Sequence, residues 1–467
     1  MSFESHKQKM EAHQLNSVAV EMFRKNFETL TENKSCMISE STINPASGIT
    51  SHESISNNTV REELLGETVL IKLNGGLGTS MGLQGVKSAL EVKEGTSFLD
   101  AIVQQVQTLR KETGQNMKLL FMNSFSTSEE TLSLLKKYEA DGFANRSEVE
   151  LMQNQIPKIC QETLEPITWE KDPAQEWCPP GHADVYTALL GSGWLDRLIA
   201  DGINYAFISN SDNLGATLDP HILTYIADEN IPFLMEVTRR TEADSKGGHL
   251  AKRASDGQML LREVAQCPDE DLDSFQDITK HQFFNTNNLW LHLPTLKKVL
   301  DEQGGVMDLP VILNSKTVDP RDKTSPKVYQ LETAMGSAIE CVPGASALDV
   351  PRSRFAPVKK TTDLLAIRSD AYEQNAQGQV QLAPARKGVP PMIKLSDEYK
   401  FVDSIANMGT PSLVEAELLK VSGKVQFSEG VVIKGKVEII NDFDQAFVVP
   451  AGIYENKTLL ASELTAV

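Results

Sequence analysis

The chain predicts an α/β fold with a mixed, mostly parallel sheet, followed by a short β-helical coil. Two observations carry this expectation. From Thr68 onward, short apolar runs alternate with helical patterns over roughly residues 67–380, the mark of helices crossing over a sheet. Beyond residue 380 the period changes. Leu419/Val421, Val425/Phe427, Val431/Ile433 and Val437/Ile439 repeat an apolar-x-apolar pair every six residues, with Gly423, Gly430 and Gly435 between them. Six-residue periodicity marks a β-helix, in which each pair faces inward from one short edge of a coil. Ordinary hairpin strands are the alternative, and in either case the expected job of this region is association or stability.

Residues 1–66 read as an N-terminal helical segment and a polar linker. Val18, Met22, Phe23 and Phe27 recur at near-helical spacing, which predicts a helix packed on the main body. Residues 32–60 are dense in Ser, Asn and Thr without period, and read as a long polar connection. TVLIKL (68–73) is a buried strand. The helix over 97–114 opens with a capping signal, Ser97 and Asp100, puts Phe98, Leu99, Ile102, Val103, Val106 and Leu109 on one face, and stops at Gly114. MKLLFMN (117–123) is the next strand, 127–141 the next helix and VELM (149–152) another strand. INYAFISN (203–210) and IPFLMEVTRR (231–240) follow as strands, each after a helical pattern. Residues 250–266 read as an inserted hairpin that turns at Asp256-Gly257.

Composition excludes several partners. The 467 residues hold 64 acidic and 45 basic side chains, a net charge of −19. Most of such a surface repels nucleic-acid backbone and anionic membrane, so any phosphorylated ligand must be held by a local exception. With 40% hydrophobic and 23% charged residues the chain can bury a large core. No apolar run of about 18 residues occurs, and the first residues lack a basic then apolar pattern, so neither a membrane span nor a signal peptide is expected. Five cysteines without a CxxC pair suit a reducing compartment, with no disulfide or structural zinc. The expected location is cytoplasmic.

LNGGLGTSMGLQGVKS (73–88) directly follows a strand. Gly75, Gly76 and Gly78 remove Cβ atoms where backbone N–H groups could approach phosphate oxygens, and Lys87 adds a full positive charge. The spacing is one residue too long for the dinucleotide fingerprint, and Lys87 follows Val86 where a Walker lysine must follow glycine. The plainer alternative is a turn without a ligand. ISNSDNLG (208–215) ends another strand, where ligands bind in open α/β sheets, and Asp212 there could hold a magnesium ion; a capping aspartate is the alternative. CPPGHADVY (178–186) is stiffened by Pro-Pro before Gly181 and His182. Lys246 in SKGGHL, and Lys359 and Lys360 in RSRFAPVKKTTDLL, sit in turn-like segments where most lysines are merely solvated. Asn285, Asn287 and Asn288 end an apolar run in FFNTNNLW, as hydroxyl-binding amides or as turn residues. No pattern for a nucleophilic hydrolase emerges.

LNGGLGTSMG, the PPGHxD segment, SNSDNLG, KGG, FNTNNLW, QLETAMGSAI and RSRFAPVK occur in this order over residues 73–360. Together they resemble the eukaryotic-type UTP:glucose-1-phosphate uridylyltransferases, or UDP-glucose pyrophosphorylases. The resemblance implies a Rossmann-like nucleotidyltransferase domain over 67–380 and a C-terminal β-helix domain over 381–467. It implies that Leu73, Asn74, Gly75 and Gly76 contact the uridine and phosphate end of UTP, with Lys87 on the phosphates. Gln153 would read uracil, with Gln155 as the rival. Gly181 would help hold the base and His182 would lie toward the sugar phosphate. Asn210 and Asp212 would line the ribose and Mg2+ site, Lys246 and Lys359 would meet phosphates, and Asn285 and Asn287 would face the hexose. Val86 stands where the family usually has proline.

The implied reaction is attack of glucose-1-phosphate on the α-phosphorus of UTP, giving UDP-glucose and pyrophosphate. Two alternatives belong beside it: the same chemistry on another or a broader range of sugar-1-phosphates, and a UDP-sugar-binding protein without turnover. Asn74 and Thr79-Ser80-Met81 favour the glucose enzyme over the first. Joint presence of Lys87, Asp212, Lys246 and Lys359 favours turnover over the second. The edge of the C-terminal coil could associate end to end into a homo-oligomer or remain covered, and no nucleic-acid or membrane partner is expected.

Overall fold

Thr68–Leu73 forms a strand buried along nearly its whole length, and an eleven-stranded sheet is built around it. The computed structural model describes residues 3–32, 37–93, 95–375 and 378–464. In chain order the sheet contains β1 (Ile43–Pro45), β2 (Thr50–Ser51), β3 (Thr68–Leu73), β4 (Lys118–Asn123), β5 (Glu150–Met152) and β6 (Tyr205–Asn210). It continues with β7 (Phe233–Arg239), β8 (His249–Arg253), β9 (Met259–Arg262), β10 (Phe283–His292) and β11 (Ser346–Asp349). Its main path runs β2-β11-β7-β10-β6-β3-β4-β5. Neighbours along it are parallel except β10, which is antiparallel to both β6 and β7. The sheet is therefore mixed and mostly parallel, as the alternation of patterns predicts.

Period-two side-chain direction gives this sheet two cores. Leu70, Phe121, Phe207, Leu234 and Trp290 face one, and Val69, Ile71, Leu120, Met122, Ala206 and Ile208 face the other. Before the sheet come helices α1 (Glu4–Ala12) and α2 (Ser17–Thr31). Helix α3 (Phe98–Thr113) covers the first core, aided by its Ser97/Asp100 capping box and by Gly114 at φ 70° as its C-cap. Then follow α4 (Ser128–Leu135), which passes into a 3-10 turn at Lys136, α5 (Asp184–Gly191) over the second core, and α6 (Pro220–Asp228) over the first. Met10, Met22, Phe23 and Phe27 of α1 and α2 pack on Ile156, Ile159 and Trp177, as the spacing in α2 predicts. The hairpin β8–β9 turns at Asp256-Gly257, with Lys252 opposite Met259. No helix among the described residues is long and apolar enough to cross a membrane. Cys160, Cys178, Cys267 and Cys341 are free thiols, and Cys36 lies outside the described residues.

Two expectations need correction. The 32–60 stretch is more than a polar connection: in its described part β1 pairs with β8 and β2 with β11. Short edge strands need backbone partners more than an apolar period, so composition hides them. Side-chain anchors add to this pairing. His52 Nε2 lies 2.8 Å from Asp219 Oδ2, and Glu40 Oε2 lies 2.6 Å from the fully buried guanidinium of Arg262. The second correction concerns FFNTNNLW, which does not end at its asparagines. Strand β10 continues through them to His292, and a β-bulge opposite Glu236/Val237 with Asn287 at φ 58° absorbs the irregularity.

In the C-terminal region the strands from Met392 onward all pair in parallel, with short helices such as Val402–Ala406 and Ala461–Leu464 beside them. A four-stranded sheet runs in the order β12 (Met392–Leu395), β13 (Ser412–Ser422), β15 (Val431–Ile440), β17 (Gly452–Leu460), while β14 (Val425–Phe427) pairs with β16 (Phe447–Val449). The buried members of the six-residue repeats join the core that covers α3.

The Asp219 anchor sets an acid limit. Burial alone would raise its carboxyl, but His52 and Arg354 hold it down to about 2 against an ordinary 3.8. A depressed acid stabilises the fold above its unfolded pKa and loses that contribution as pH falls through the folded value, here between about pH 4 and 2. We expect His52→Ala to cost roughly 1.5–3 kcal/mol at neutral pH and to move acid unfolding to higher pH, read by circular dichroism along a pH titration.

Candidate active site

Three chain segments meet beyond the carboxyl ends of β3 and β6. In the loop after β3, Asn74 has its donors committed internally. Its backbone N–H donates to Met122 O at 2.8 Å, and its side-chain Nδ2 donates to Asn123 Oδ1 and Thr131 Oγ1, each at 2.9 Å. Asn74 therefore fixes the loop root and presents no donor of its own. Among the described residues, the N–H groups of Gly75, Gly76, Leu77 and Gly78 donate to nothing within the chain. Four successive free donors form a cradle for an anion. Lys87 N closes the loop onto Gly76 O at 3.3 Å.

Two sequence-predicted lysines converge on one oxygen. Lys87 Nζ lies 2.6 Å and Lys359 Nζ 3.0 Å from Asp212 Oδ2. Burial pushes the Asp212 carboxyl up, but Lys359 and Lys87 outweigh it and leave it below the ordinary value, so it is ionised at neutral pH. Its other oxygen, Oδ1, is buried and accepts no hydrogen bond among the described residues. An orphaned carboxylate oxygen costs free energy unless something binds it, and a cation fits that position. No group of three or more His, Cys, Asp or Glu side chains that could hold a metal occurs among the described residues. A single carboxylate suits magnesium, which keeps several waters and takes phosphate oxygens rather than an all-protein cage. Lys359 is 56% exposed against 14% for Lys87, so it is the freer of the two to move.

A second cluster joins Gln153, Gly75 and Gly181. Gln153 Nε2 donates to Gly181 O at 2.9 Å, and a Cβ on Gly75 would sit 2.6 Å from Gln153 Oε1. Gly181 itself, at φ +89°, lies so close to Thr333 that a Cβ would be 2.5 Å from its carbonyl oxygen. Glycine is required at 181 by positive φ and close backbone approach, whereas at 75 a side chain would displace the tip of Gln153. Gln155 instead lines a cavity of about 570 Å³ with Lys9, His13 and Trp177, away from this contact. His182 Nδ1 accepts the Met335 N–H at 3.0 Å. Burial and then Lys359 push the imidazole down to about 4, so at neutral pH it is uncharged with its proton on Nε2.

The remaining predicted residues fall into three places. Leu73 pairs with Asn210 in register at the ends of β3 and β6. Asn285 Nδ2 donates to Asn287 Oδ1 at 3.0 Å, and Asn285 packs on Gly336 of the QLETAMGSAI segment. Lys246 is exposed on the turn before Gly247-Gly248 and makes no ion pair with Asp212.

Beneath the site lies a network that sequence reasoning missed. Glu236 on β7 is fully buried and accepts from Arg354 (2.6 and 2.8 Å), Asn288 (2.9 Å) and Trp290 (2.8 Å). Arg354 O in turn accepts from Asn213 at 3.1 Å, while Asn213 Oδ1 accepts the Ala356 N–H at 2.9 Å. Val358 N donates to Asp212 O at 3.1 Å. The only sequence signal was a lone acid inside the apolar run IPFLMEV.

A family model described as UTP–glucose-1-phosphate uridylyltransferase matches residues 20–434. The UTP–glucose-1-phosphate uridylyltransferase of Hordeum vulgare is 42% identical over 408 residues, 86% of this chain and 83% of that one. That of Saccharomyces cerevisiae is 40% identical over 412 residues, covering 87% and 81%. Among solved structures, the UDP-glucose pyrophosphorylase of Leishmania major superposes with a TM-score of 0.93 at 47% identity over 98% of both chains. A variant of it solved in complex with UDP-glucose gives 0.92 at 46%, again over 98% of both.

Removing Arg354 leaves the buried Glu236 carboxyl without its ion-pair partner. Arg354→Met should cost roughly 3–5 kcal/mol in urea unfolding, and adding Glu236→Gln should recover a large part of that loss.

Proposed function

The chain belongs to the UTP–glucose-1-phosphate uridylyltransferase family, and from that premise we propose how its residues carry out the reaction. It is a nucleotidyltransferase that makes UDP-glucose and pyrophosphate from UTP and glucose-1-phosphate. The observation that carries the residue assignment is the convergence of Lys87 and Lys359 on Asp212 beside the free N–H groups of residues 75–78.

An oxygen of the sugar phosphate attacks the α-phosphorus of UTP, a new O–P bond forms, and the bond from that phosphorus to the bridging oxygen breaks in line. A phosphate near neutral pH already carries an unprotonated oxygen, so the chain needs no general base. Its tasks are positioning and charge neutralisation. The Gly75–Gly78 donors cradle the triphosphate, with Lys87 holding it in register. Gln153, fixed by Gly181, offers both a donor and an acceptor to the uracil edge, and Leu73 and Asn210 line the ribose. Neutral His182 donates through Nε2 toward the sugar phosphate, while Asn285 and Asn287 present amides to the hexose hydroxyls. Lys359 swings from Asp212 to the charge that builds as pyrophosphate departs, and Lys246 approaches from the KGG turn. Magnesium would be held by the unpartnered oxygen of Asp212, where it would supply charge neutralisation to the triphosphate.

We propose three regions: an N-terminal segment to residue 66, a catalytic domain over 67–380, and a C-terminal short β-helix over 381–467. The last is supported by register. Leu419 stacks on Val437 and Val437 on Lys457, about three six-residue units apart each time. The sparse cysteines fit a cytoplasmic location.

Asp212→Ala and Lys359→Ala should each lower kcat on the order of 10²-fold or more, and excess chelator should abolish turnover, followed as pyrophosphate release. A panel of other sugar-1-phosphates tests breadth. Near-wild-type rates in both variants would sink the residue assignment, and full activity in chelator would sink the magnesium one.

A further inference from the structure

The segment from Gly75 to Lys87 contains five glycines, at 75, 76, 78, 82 and 85. So many glycines leave the backbone large conformational freedom, yet Lys87 must be held where it can meet phosphate. Something outside the loop has to fix its approach. Val86 N donates to Glu130 Oε2 of α4 at 2.6 Å. Among the described residues this is the one hydrogen bond that ties residues 77–86 to an element distant in the chain, the bond from Ala89 N–H to Val86 O being the local turn that follows. Gly85 is shaped for the same contact: a Cβ there would lie 2.6 and 2.7 Å from the two Glu130 carboxylate oxygens. The side chain of Glu130 is exposed, so little burial is at stake in the interaction. An acid beside an anion cradle is also opposed by long-range electrostatics, which leaves its short-range bond as the reason for its place.

We propose that Glu130 is a positioning residue that sets Lys87 by clamping the Val86 N–H. The proposal rests on the reading of Lys87 as a phosphate contact and adds the element that orients it. The role of Glu130 needs no contact of its own with substrate or metal. Its effect passes through the backbone of the residue that precedes Lys87.

The backbone of Val86, at φ −65° and ψ 132°, offers a direct test, because proline adopts that conformation without strain. A proline at 86 removes the N–H that Glu130 accepts and fixes φ covalently, so it should make Glu130 dispensable. The experiment measures initial rates with UTP and glucose-1-phosphate varied separately, for Glu130→Ala, Glu130→Gln, Val86→Pro and the Glu130→Ala/Val86→Pro double variant, with Lys87→Ala alongside. Glu130→Ala should lose on the order of tenfold in kcat/KM for UTP, with lower kcat, while KM for glucose-1-phosphate stays within about threefold. Glu130→Gln keeps an acceptor without the charge and should stay within about threefold of wild type. Val86→Pro and the double variant should match each other, and the melting temperature of Glu130→Ala should stay within about 2 °C of wild type.

Wild-type kinetics in Glu130→Ala would overturn the proposal, as would a double variant as impaired as Glu130→Ala alone. A drop in melting temperature and rate together, restored by neither proline nor glutamine, would do the same by showing a merely structural role. Full activity in Lys87→Ala would instead sink the reading of Lys87 itself, whatever Glu130 does.

Discussion

Glu236 is the constraint on which the site depends. A carboxylate with no exposed surface is tolerated only when every acceptor position is used, and here Arg354, Asn288 and Trp290 use them. Those partners come from different stretches of chain. Satisfying one acid therefore locks β7, the bulged part of β10 and the segment that leads to Lys359 into one arrangement. The Arg354 carbonyl passes the constraint to Asn213, and Val358 passes it to Asp212. Where Asp212 and Lys359 meet is in this sense a consequence of how a neighbouring buried charge is paired.

The site resolves an electrostatic conflict by locality. A chain with net charge −19 offers no general attraction to two anionic substrates. It offers four free backbone donors, two ammonium groups on one carboxylate, and one carboxylate oxygen left open. Backbone N–H groups attract phosphate without adding net charge. The ion pairs on Asp212 hold both lysine side chains in place, and the more exposed Lys359 has less burial to give up in moving.

Gln153 is braced from the N-terminal side. Asn154, next to Gln153, donates its backbone N–H and its amide to Asp184 of α5 at 2.6 and 2.9 Å. It also accepts at 2.9 Å from Asn16, the residue that caps α2. Burial pushes the Asp184 carboxyl up to about 6 in spite of these bonds. The helical segment at the start of the chain thus braces the glutamine assigned to the base, although no residue of that segment belongs to the site itself.

Local order alone determined much of this molecule. The alternating apolar runs gave the parallel strands, Ser97 with Asp100 gave a capping box, and the six-residue repeats marked the C-terminal strands, because each signal is carried within a few neighbouring residues. The glycine loop and Asp212 were legible for the same reason. What the sequence could not show is pairing across long separations. Composition concealed β1 and β2, since strands as short as Ile-Asn-Pro and Thr-Ser are recognised only by the backbone beside them. By pattern Asn287 ends an apolar run, and only the register against β7 makes it part of a bulge. Nor could local pattern assign Glu236 to Arg354, separate Gln153 from Gln155, or direct Lys87 and Lys359 rather than Lys246 to Asp212. Those choices belong to the tertiary structure, because hydrogen bonds and ion pairs of buried groups are fixed by distance in space, and distance along the chain carries no record of it.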